Sequence, residues 1–237
     1  MDIALCFKHP SNIIISGPTG CGKTYFVHKL LYYKLLDPMP TRLVLVYEEP
    51  QTMYAEWKKW FPQFEMIRGW KPDLEDKFHS GTNNLLILDD QMRIAGKDEQ
   101  LTKLFTVVSH HRNVTIIYLV QNIFDKSEAM RTVSLNTRYF VLFKSGRDRV
   151  QLTRLGGQIF DNKPGVIPKA LDQITKLTKR PYTIVCTDPA LPDTLKLYTG
   201  IFPTEEIFFY TMVVYKGKTN NKNENDEECP AVNLIEI

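Results

Sequence analysis

Residues 17–24 read GPTGCGKT and match G-x-x-x-x-G-K-[ST], the pattern of a phosphate-binding loop between a strand and a helix. The glycines allow backbone N–H groups to surround a phosphate, and the positive end of the following helix assists them. Lys23 is expected to reach the β- and γ-phosphates of a nucleotide, and the Thr24 hydroxyl is expected to bind Mg²⁺. The residues predicted to contact the nucleotide are Gly17, Pro18, Thr19, Gly20, Cys21, Gly22, Lys23 and Thr24.

Two carboxylates follow the apolar run NLLIL at residues 84–88. In this position Asp89 is expected to hold Mg²⁺, as the Walker-B aspartate of nucleotide-hydrolysing proteins does. Asp90 is then placed to orient or deprotonate the attacking water. Two acids after a strand can also simply cap the next helix. Their combination with the phosphate-binding loop favours the catalytic interpretation.

Two further polar residues flank the strand predicted over Val114–Leu119. Gln121 follows this strand at the edge where ligands of open α/β sheets bind, and its amide is expected to hold the lytic water or sense the γ-phosphate. Arg112 precedes the strand and is therefore remote from the active site of its own chain. It can assist catalysis only in a neighbouring subunit, as an arginine finger. The alternative is an ordinary surface or salt-bridged arginine.

The elements that must position these residues alternate between short apolar runs and helical stretches. This alternation predicts an α/β domain with a mainly parallel sheet and helices on both faces. The predicted strands are Asn12–Ser16, Arg42–Tyr47, Leu85–Leu88, Val114–Leu119, Tyr139–Phe143 and Tyr182–Cys186. The predicted helices are Lys23–Leu36, Thr52–Trp60, Asp98–His110, Arg147–Gln158 and Lys169–Leu177. Residues 1–205 are expected to form this domain, and residues 206–237 a C-terminal strand and a polar flexible tail.

The composition of the 237-residue chain, 43% of it hydrophobic, suits a globular protein with a substantial core. No apolar run approaches the ~20 residues of a membrane span. The four cysteines show no paired spacing, which favours a reducing compartment. The apolar runs and the cysteines together predict an intracellular protein without a membrane partner. The net charge is +3, but residues 131–180 carry eleven Lys and Arg against three Asp, a local balance of +8. This segment is either a solvated basic face or a surface for an anionic polymer.

The motifs distinguish several classes of nucleotide-binding protein. A GTPase carries N-K-x-D, whereas here the half-matching run of residues 162–164, NKP, is followed by Gly165 instead of the aspartate. A small-molecule kinase does not need a water-activating acid such as Asp90, which disfavours a nucleotide or nucleoside kinase but leaves it as an alternative. A two-domain helicase is expected to need more chain for its second domain. The class that remains is an ATPase whose site is completed by another copy of the same chain.

Four segments resemble the FtsK/HerA superfamily of DNA-pumping ATPases. In chain order they are GPTGCGKT, LLILDD, SHHRNVTIIYLVQN and SLNTRYFVLFKSGRDRVQL. Within that superfamily they are most similar to the genome-packaging ATPases of poxvirus-like large DNA viruses, Polinton/Maverick elements and adintoviruses. The resemblance covers residues 7–203. The phosphate-binding loop is common to many proteins, whereas the third and fourth segments are specific to this group.

The resemblance implies a P-loop fold of the RecA and FtsK/HerA type that uses ATP and Mg²⁺. Lys23 and Thr24 would be the Walker-A pair, and Asp89 and Asp90 the Walker-B pair. Gln121 would be the glutamine that ends the fourth core strand. Many relatives have Glu at the position of Asp90, so the carboxylate here stands on a shorter side chain.

The resemblance also implies a homo-oligomeric ring, pentameric or hexameric, that moves double-stranded DNA into a preformed capsid. Arg112 matches the arginine expected before the fourth strand, while Arg138 and Arg147 are rival candidates for the finger. A capsid or portal-like viral protein is the implied partner. The implied location is a virus assembly site in the host nucleus or cytoplasm, or the virion. The basic segment would then be the half that faces DNA or the ring.

Two other functions use the same nucleotide site. An assembly protein could bind ATP to switch its surface and hydrolyse it very slowly. A DNA-segregation or conjugation pump would share the chemistry and differ in the destination of the DNA. Discriminating among these functions requires assays of hydrolysis, DNA dependence and subunit mixing.

Overall fold

A mainly parallel sheet positions the site residues in the computed structural model, which describes residues 5–90, 97–123, 128–146, 149–160 and 163–211. The strands are β1 (Phe7–Lys8), β2 (Asn12–Ser16), β3 (Leu36–Asp37), β4 (Arg42–Tyr47), β5 (Gln63–Arg68), β6 (Asn84–Asp89), β7 (Val114–Val120), β8 (Tyr139–Phe143), β9 (Tyr182–Cys186), β10 (Leu197–Thr199) and β11 (Phe208–Phe209). Within these residues, a nine-stranded sheet has the order β11-β10-β9-β8-β2-β7-β6-β4-β5, and β1 pairs with β3 separately.

Helices pack on both faces of this sheet. They are α1 (Lys23–Tyr32), α2 (Tyr54–Trp60), α3 (Lys97–Lys103), α4 (Ser109–His111), α5 (Glu128–Leu135), α6 (Arg149–Ile159) and α7 (Val166–Thr178). Helices α1 and α2 contribute to one apolar cluster, and α3 and α5–α7 to the other. Along the described part of the chain, no helix combines the length and apolar character that crossing a bilayer requires. The predicted α/β fold with helices on both faces is confirmed.

The strand order brings three site-bearing strands together. Strand β7 lies between β2 and β6 and is parallel to both, so that Ile116 pairs with Asn12 on one side and with Leu86 on the other. All three strands are buried along their length, as expected for parallel strands covered on both faces. Because parallel strands end at the same edge, the segments that follow β2, β6 and β7 meet there.

The first helix is shorter than predicted. It ends at Tyr32 rather than Leu36, because Lys34 has a left-handed backbone with φ 55°. The N–H of Leu35 then bonds to the carbonyl of Leu30 at 3.0 Å, which closes the helix end. Residues Leu36–Asp37 instead form β3, parallel to β1.

Other differences follow from local chemistry. The helix predicted over Asp98–His110 is present, but Leu104–Val108 is a π-helical segment that joins α3 to α4. Helix α7 begins at Val166, before the predicted Lys169, because Pro168 is tolerated in a first turn whose N–H groups need no helical partner. The apolar face of the helix predicted over Asp98–His110 is buried as predicted, with Leu101, Leu104, Phe105 and Val108 in the core.

The remaining differences concern elements that were not predicted and the two edges of the sheet. Strand β5 and helix α5 were not predicted, and β9, β10 and β11 extend the parallel part of the sheet in antiparallel pairs. Helix α6 is described from Arg149, and residues 147–148 at its predicted start lie outside the described residues. Of residues 206–237, predicted as a C-terminal strand and a polar flexible tail, residues 212–237 also lie outside them.

Candidate nucleotide-binding site

The loop that follows β2 has the backbone required to surround a phosphate. Gly22 has φ 102° and occupies the N-cap of α1, a conformation that L side chains rarely adopt. Gly17 is constrained by space instead. A Cβ atom there would lie 2.6 Å from Phe143 Cβ and 2.7 Å from Cys21 Sγ. The loop therefore depends on glycine at both of these positions.

Lys23 lies over the loop. Its ammonium donates hydrogen bonds to the carbonyl oxygens of Gly17 at 2.7 Å and Pro18 at 3.0 Å. These bonds hold the positive charge beside the loop, in a cleft of about 280 Å³. The cleft is lined by Thr19, Gly20, Gly22, Lys23, Thr24, Tyr25, Gln51, Met53, Asp89, Asp90 and Gln121. Residues predicted from three separate stretches of sequence thus line one cleft.

The two predicted metal ligands are in contact. Thr24 Oγ1 donates a hydrogen bond to Asp89 Oδ2 at 3.2 Å. Asp89 ends β6 and only 6% of it is exposed. A hydroxyl and a carboxylate beside a phosphate-binding loop are the oxygen ligands from which Mg²⁺ is usually held with nucleotide phosphates. The donor set therefore fits Mg²⁺.

The carboxylate of Asp89 also contacts two residues that the sequence did not single out. The Tyr54 hydroxyl donates to Asp89 Oδ2 at 2.7 Å, and Gln51 Nε2 donates to the same oxygen at 3.2 Å. Burial raises the pKa of Asp89, and the hydrogen bonds from Tyr54 and Thr24 oppose this rise. Burial and the neighbouring Asp89 charge raise the pKa of Tyr54 well above its usual value, so its hydroxyl remains a donor at neutral pH.

The sequence held a signal for the segment that contains one of these two residues. Gln51 follows β4, which lies next to β6 with Tyr47 opposite Asp89. The signal that identified Gln121 also applies to the segment after β4, but Glu48 and Glu49 precede Gln51 there, so it indicates the segment and not Gln51 in particular. Tyr54 gives no such signal, because an aromatic residue on a helix is typical of a core position.

Asp90 and Gln121 lie beside each other at the open part of the cleft. Gln121 Nε2 is 3.5 Å from Asp90 Oδ1, and both residues are exposed. Asp90 has a left-handed backbone with φ 56°, unusual for a non-glycine residue, which turns the chain sharply after β6. A carboxylate acceptor and an amide donor in contact can together orient a water molecule.

Arg112 lies at the opposite edge of the sheet, before β7, and the structure does not bring it to the cleft. Its Nη1 donates to the carbonyl of Glu75 at 2.5 Å and to that of Phe78 at 3.3 Å, and lies 3.8 Å from Asp76 Oδ1. The separation from its own site agrees with the sequence argument. Within this chain the guanidinium holds a turn, as in the alternative of a salt-bridged arginine.

The rival finger candidates give no closer contact with the cleft. Arg138 precedes β8, at the same edge as Arg112, and its guanidinium pairs with Asp188. Arg147 lies outside the described residues. The choice among the three arginines remains a prediction.

Comparison with known proteins identifies the fold. No protein-family model matches the chain, and no curated protein matches it. Among solved structures, the DNA-packaging ATPase B204 from Sulfolobus turreted icosahedral virus is similar, with a TM-score of 0.52 and 13% identity, over 77% of this chain and 95% of that chain. The genome-packaging NTPase B204 from Sulfolobus turreted icosahedral virus 2 in complex with ATP-gammaS has a TM-score of 0.50 and 14% identity, over 77% and 95%. The same protein in complex with AMPPCP has the same values.

The order of the strands and the phosphate-binding loop together define a P-loop NTPase fold. Within that class, the fold is the one found in the viral genome-packaging ATPase B204. At 13–14% identity this likeness shows the fold, and it confirms the P-loop α/β fold that the motifs predicted.

Proposed function

We propose that this protein is an Mg²⁺-dependent ATPase that moves double-stranded DNA into a viral capsid as a pentameric or hexameric ring. The contact between Thr24 and Asp89 below the phosphate-binding loop carries the proposal, since it joins the two predicted metal ligands. The genome-packaging function named for the B204 structures supports the choice of DNA as the polymer. The proposed setting is a virus assembly site in the host cell, with a capsid or portal-like protein as the docking partner.

The binding step uses the loop and its lysine. Backbone N–H groups of the loop and the Lys23 ammonium hold the phosphates of ATP. Thr24 and Asp89 would hold Mg²⁺, which when bound neutralises charge on the β- and γ-phosphate oxygens. Lys23 must exchange its bonds to the carbonyls of Gly17 and Pro18 for bonds to phosphate oxygens. This exchange replaces two neutral acceptors by charged ones, which form stronger hydrogen bonds.

The hydrolytic step needs no covalent intermediate. Asp90 accepts a proton from the attacking water or orients it, and the Gln121 amide contacts the water or the γ-phosphate. Their mutual distance of 3.5 Å supports a shared role. In a ring, an arginine of the neighbouring subunit, with Arg112 as the first candidate, would stabilise charge on the transferring phosphoryl group.

A basic surface on α6, α7 and the flanking segments supports a DNA partner. Its exposed residues are Arg149, Arg154, Lys163, Lys169, Lys176 and Lys179. Among the described residues, Asp172 on α7 pairs with two cations, Arg149 at 3.2 Å and Lys144 at 3.0 Å. Residues 131–180 carry eleven Lys and Arg against three Asp, and this excess of cations would attract a phosphate backbone at low salt.

The experiment that tests the proposal measures steady-state ATP hydrolysis per subunit against protein concentration, with and without double-stranded DNA. We expect the rate to rise with both, because sites are completed by neighbours. Mixing Asp90→Asn with Arg112→Ala should restore part of the missing activity, since one interface in a mixed ring carries both wild-type groups. A rate that is flat in both variables would exclude the ring and lead to a screen for kinase acceptors.

Arg112→Ala needs a matched control because the side chain also holds a turn. Arg112→Lys retains a donor for the carbonyls of Glu75 and Phe78 but lacks the planar guanidinium. If Arg112→Lys unfolds at the wild-type temperature and is inactive alone but active in the mixture, the finger role is supported. If both variants retain full activity, Arg112 has only its structural role.

A further inference from the structure

Three side chains donate hydrogen bonds to the same oxygen of Asp89. Tyr54, Gln51 and Thr24 lie 2.7, 3.2 and 3.2 Å from Oδ2. Gln51 Nε2 lies in addition 3.3 Å from Thr24 Oγ1. The Gln51 amide therefore bridges the two residues that would hold Mg²⁺.

Tyr54 is a rigid donor. It begins α2, is 1% exposed, and its ring packs against Tyr47 and Trp57 with centroid distances of 5.6 and 5.1 Å. A ring enclosed in this way has one position for its hydroxyl. The carboxylate that accepts from it is consequently held in one rotation about its side chain.

Gln51 differs from Tyr54 because it is exposed. An exposed side chain contributes little to the core, and a hydrogen bond it makes at the surface contributes little to folding stability. Its contacts in the cleft are nevertheless with Asp89 and Thr24. This combination favours a role in the site over a role in stability.

We propose that Gln51 and Tyr54 are positioning residues for the metal ligands: Tyr54 fixes the rotation of the Asp89 carboxylate, and Gln51 sets the approach of the Thr24 hydroxyl to it. The inference rests on the proposed function, because it assumes that these two ligands hold Mg²⁺. Partners that orient metal ligands typically change metal affinity by about 10–100-fold when they are removed. Gln51 and Tyr54 should therefore govern Mg²⁺ dependence and leave Mg²⁺-free binding to the loop unchanged.

The test is an equilibrium titration of the full-length protein with a fluorescent ATP analogue, in EDTA and over a series of MgCl₂ concentrations. For Gln51→Ala and for Tyr54→Phe we expect the Mg²⁺ midpoint of tight binding to rise about tenfold. Affinity in EDTA and the thermal midpoint of the nucleotide-free Gln51→Ala variant should equal those of wild type. Tyr54→Phe retains the buried ring, so it tests the hydroxyl without a cavity.

Two controls separate positioning from general damage. Tyr47→Phe removes a hydroxyl from the ring that packs against Tyr54, and Gln158→Ala removes an exposed amide from α6. Both should keep the wild-type Mg²⁺ midpoint. An unchanged midpoint in Gln51→Ala and Tyr54→Phe would overturn the inference, as would an equal loss of affinity in EDTA and in Mg²⁺.

This readout is independent of turnover and of DNA. If wild type binds the analogue with a clear Mg²⁺ midpoint but does not hydrolyse ATP, the proposed function fails while the shift in midpoint still decides the role of Gln51 and Tyr54. If hydrolysis is stimulated by DNA and the midpoint does not shift, the proposed function stands and the positioning role fails.

Discussion

The space around Gly17 makes a quantitative prediction about the phosphate-binding loop. In Gly17→Ala, the new methyl group would lie 2.6 Å from Phe143 Cβ and 2.7 Å from Cys21 Sγ. The Cys21 side chain can rotate away, but Phe143 Cβ is attached directly to the backbone of β8. Either the loop or the end of β8 must therefore move.

The size of the effect follows from the cost of overpacking. Inserting a methylene into a well-packed site costs about 1–3 kcal/mol. For a chain of this length, 1 kcal/mol corresponds to about 2–4 °C in the unfolding midpoint. We expect Gly17→Ala to lower the midpoint by about 4–8 °C, the equivalent of about 2 kcal/mol. Because the Gly17 carbonyl accepts a bond from Lys23, nucleotide affinity should fall as well.

The assay compares Gly17→Ala with Gly81→Ala in thermal unfolding and in binding of the fluorescent ATP analogue. A Cβ at Gly81 meets nothing within 4 Å, and its backbone is not left-handed, so this control should match wild type in both measurements. The double variant Gly17→Ala/Cys21→Ala should recover only part of the stability, since Phe143 Cβ remains. Equal midpoints for Gly17→Ala and Gly81→Ala would refute the packing argument.

Three further predictions concern charge. Asp90→Asn should retain nucleotide binding and lower the hydrolysis rate about 10²–10⁴-fold, measured by phosphate release, because it removes the proposed base; a rate within twofold of wild type would contradict that role. Burial raises the pKa of the Asp89 carboxyl, so the folded protein keeps the carboxyl proton at a higher pH than the unfolded chain does. The free energy of unfolding therefore decreases as the pH rises above 3.8, the ordinary pKa of this group. Asp89→Asn should therefore raise the unfolding midpoint of the nucleotide-free protein at pH 7 more than at pH 4, and a lower midpoint at pH 7 would count against this reasoning. Replacing Arg147, Arg149 and Arg154 by Ala should weaken DNA binding. The slope of log affinity against log salt concentration should become shallower by about 0.9 for each DNA phosphate that an arginine no longer neutralises. An unchanged salt titration would show that these arginines do not contact DNA.

The parts of the site that the sequence predicts are those encoded by contiguous residues. The loop, the acid pair at the end of β6 and Gln121 after β7 each follow an apolar run, and parallel strands bring such ends to one edge. The order of the strands is not encoded locally, so the position of β7 between β2 and β6 required the structure. The same holds for Tyr54, whose contact with Asp89 joins residues 35 positions apart.

The elements that sequence reasoning missed have weak local patterns. Strand β5, with the sequence QFEMIR, alternates polar and apolar residues only from Gln63 to Met66, and Ile67 breaks the alternation. The end of α1 was placed too late because Leu35 continues the apolar spacing of the helix. The left-handed backbone of Lys34 ends the helix, so the buried Leu35 lies in the connection that follows α1 and not in a continuation of the helix.

Strand β7 has a mechanical consequence for a ring. It contains 7 residues, spans about 23 Å at ~3.3 Å per residue, and is hydrogen-bonded to a neighbour on each side. Gln121 follows one end of it and Arg112 precedes the other. If Arg112 serves the adjacent subunit as proposed, strand β7 joins the γ-phosphate contact of one site to the arginine finger of the next. Because β7 is paired with β2 and β6, a displacement at Gln121 would move it together with these strands, and the sheet would then connect hydrolysis at one site to the next.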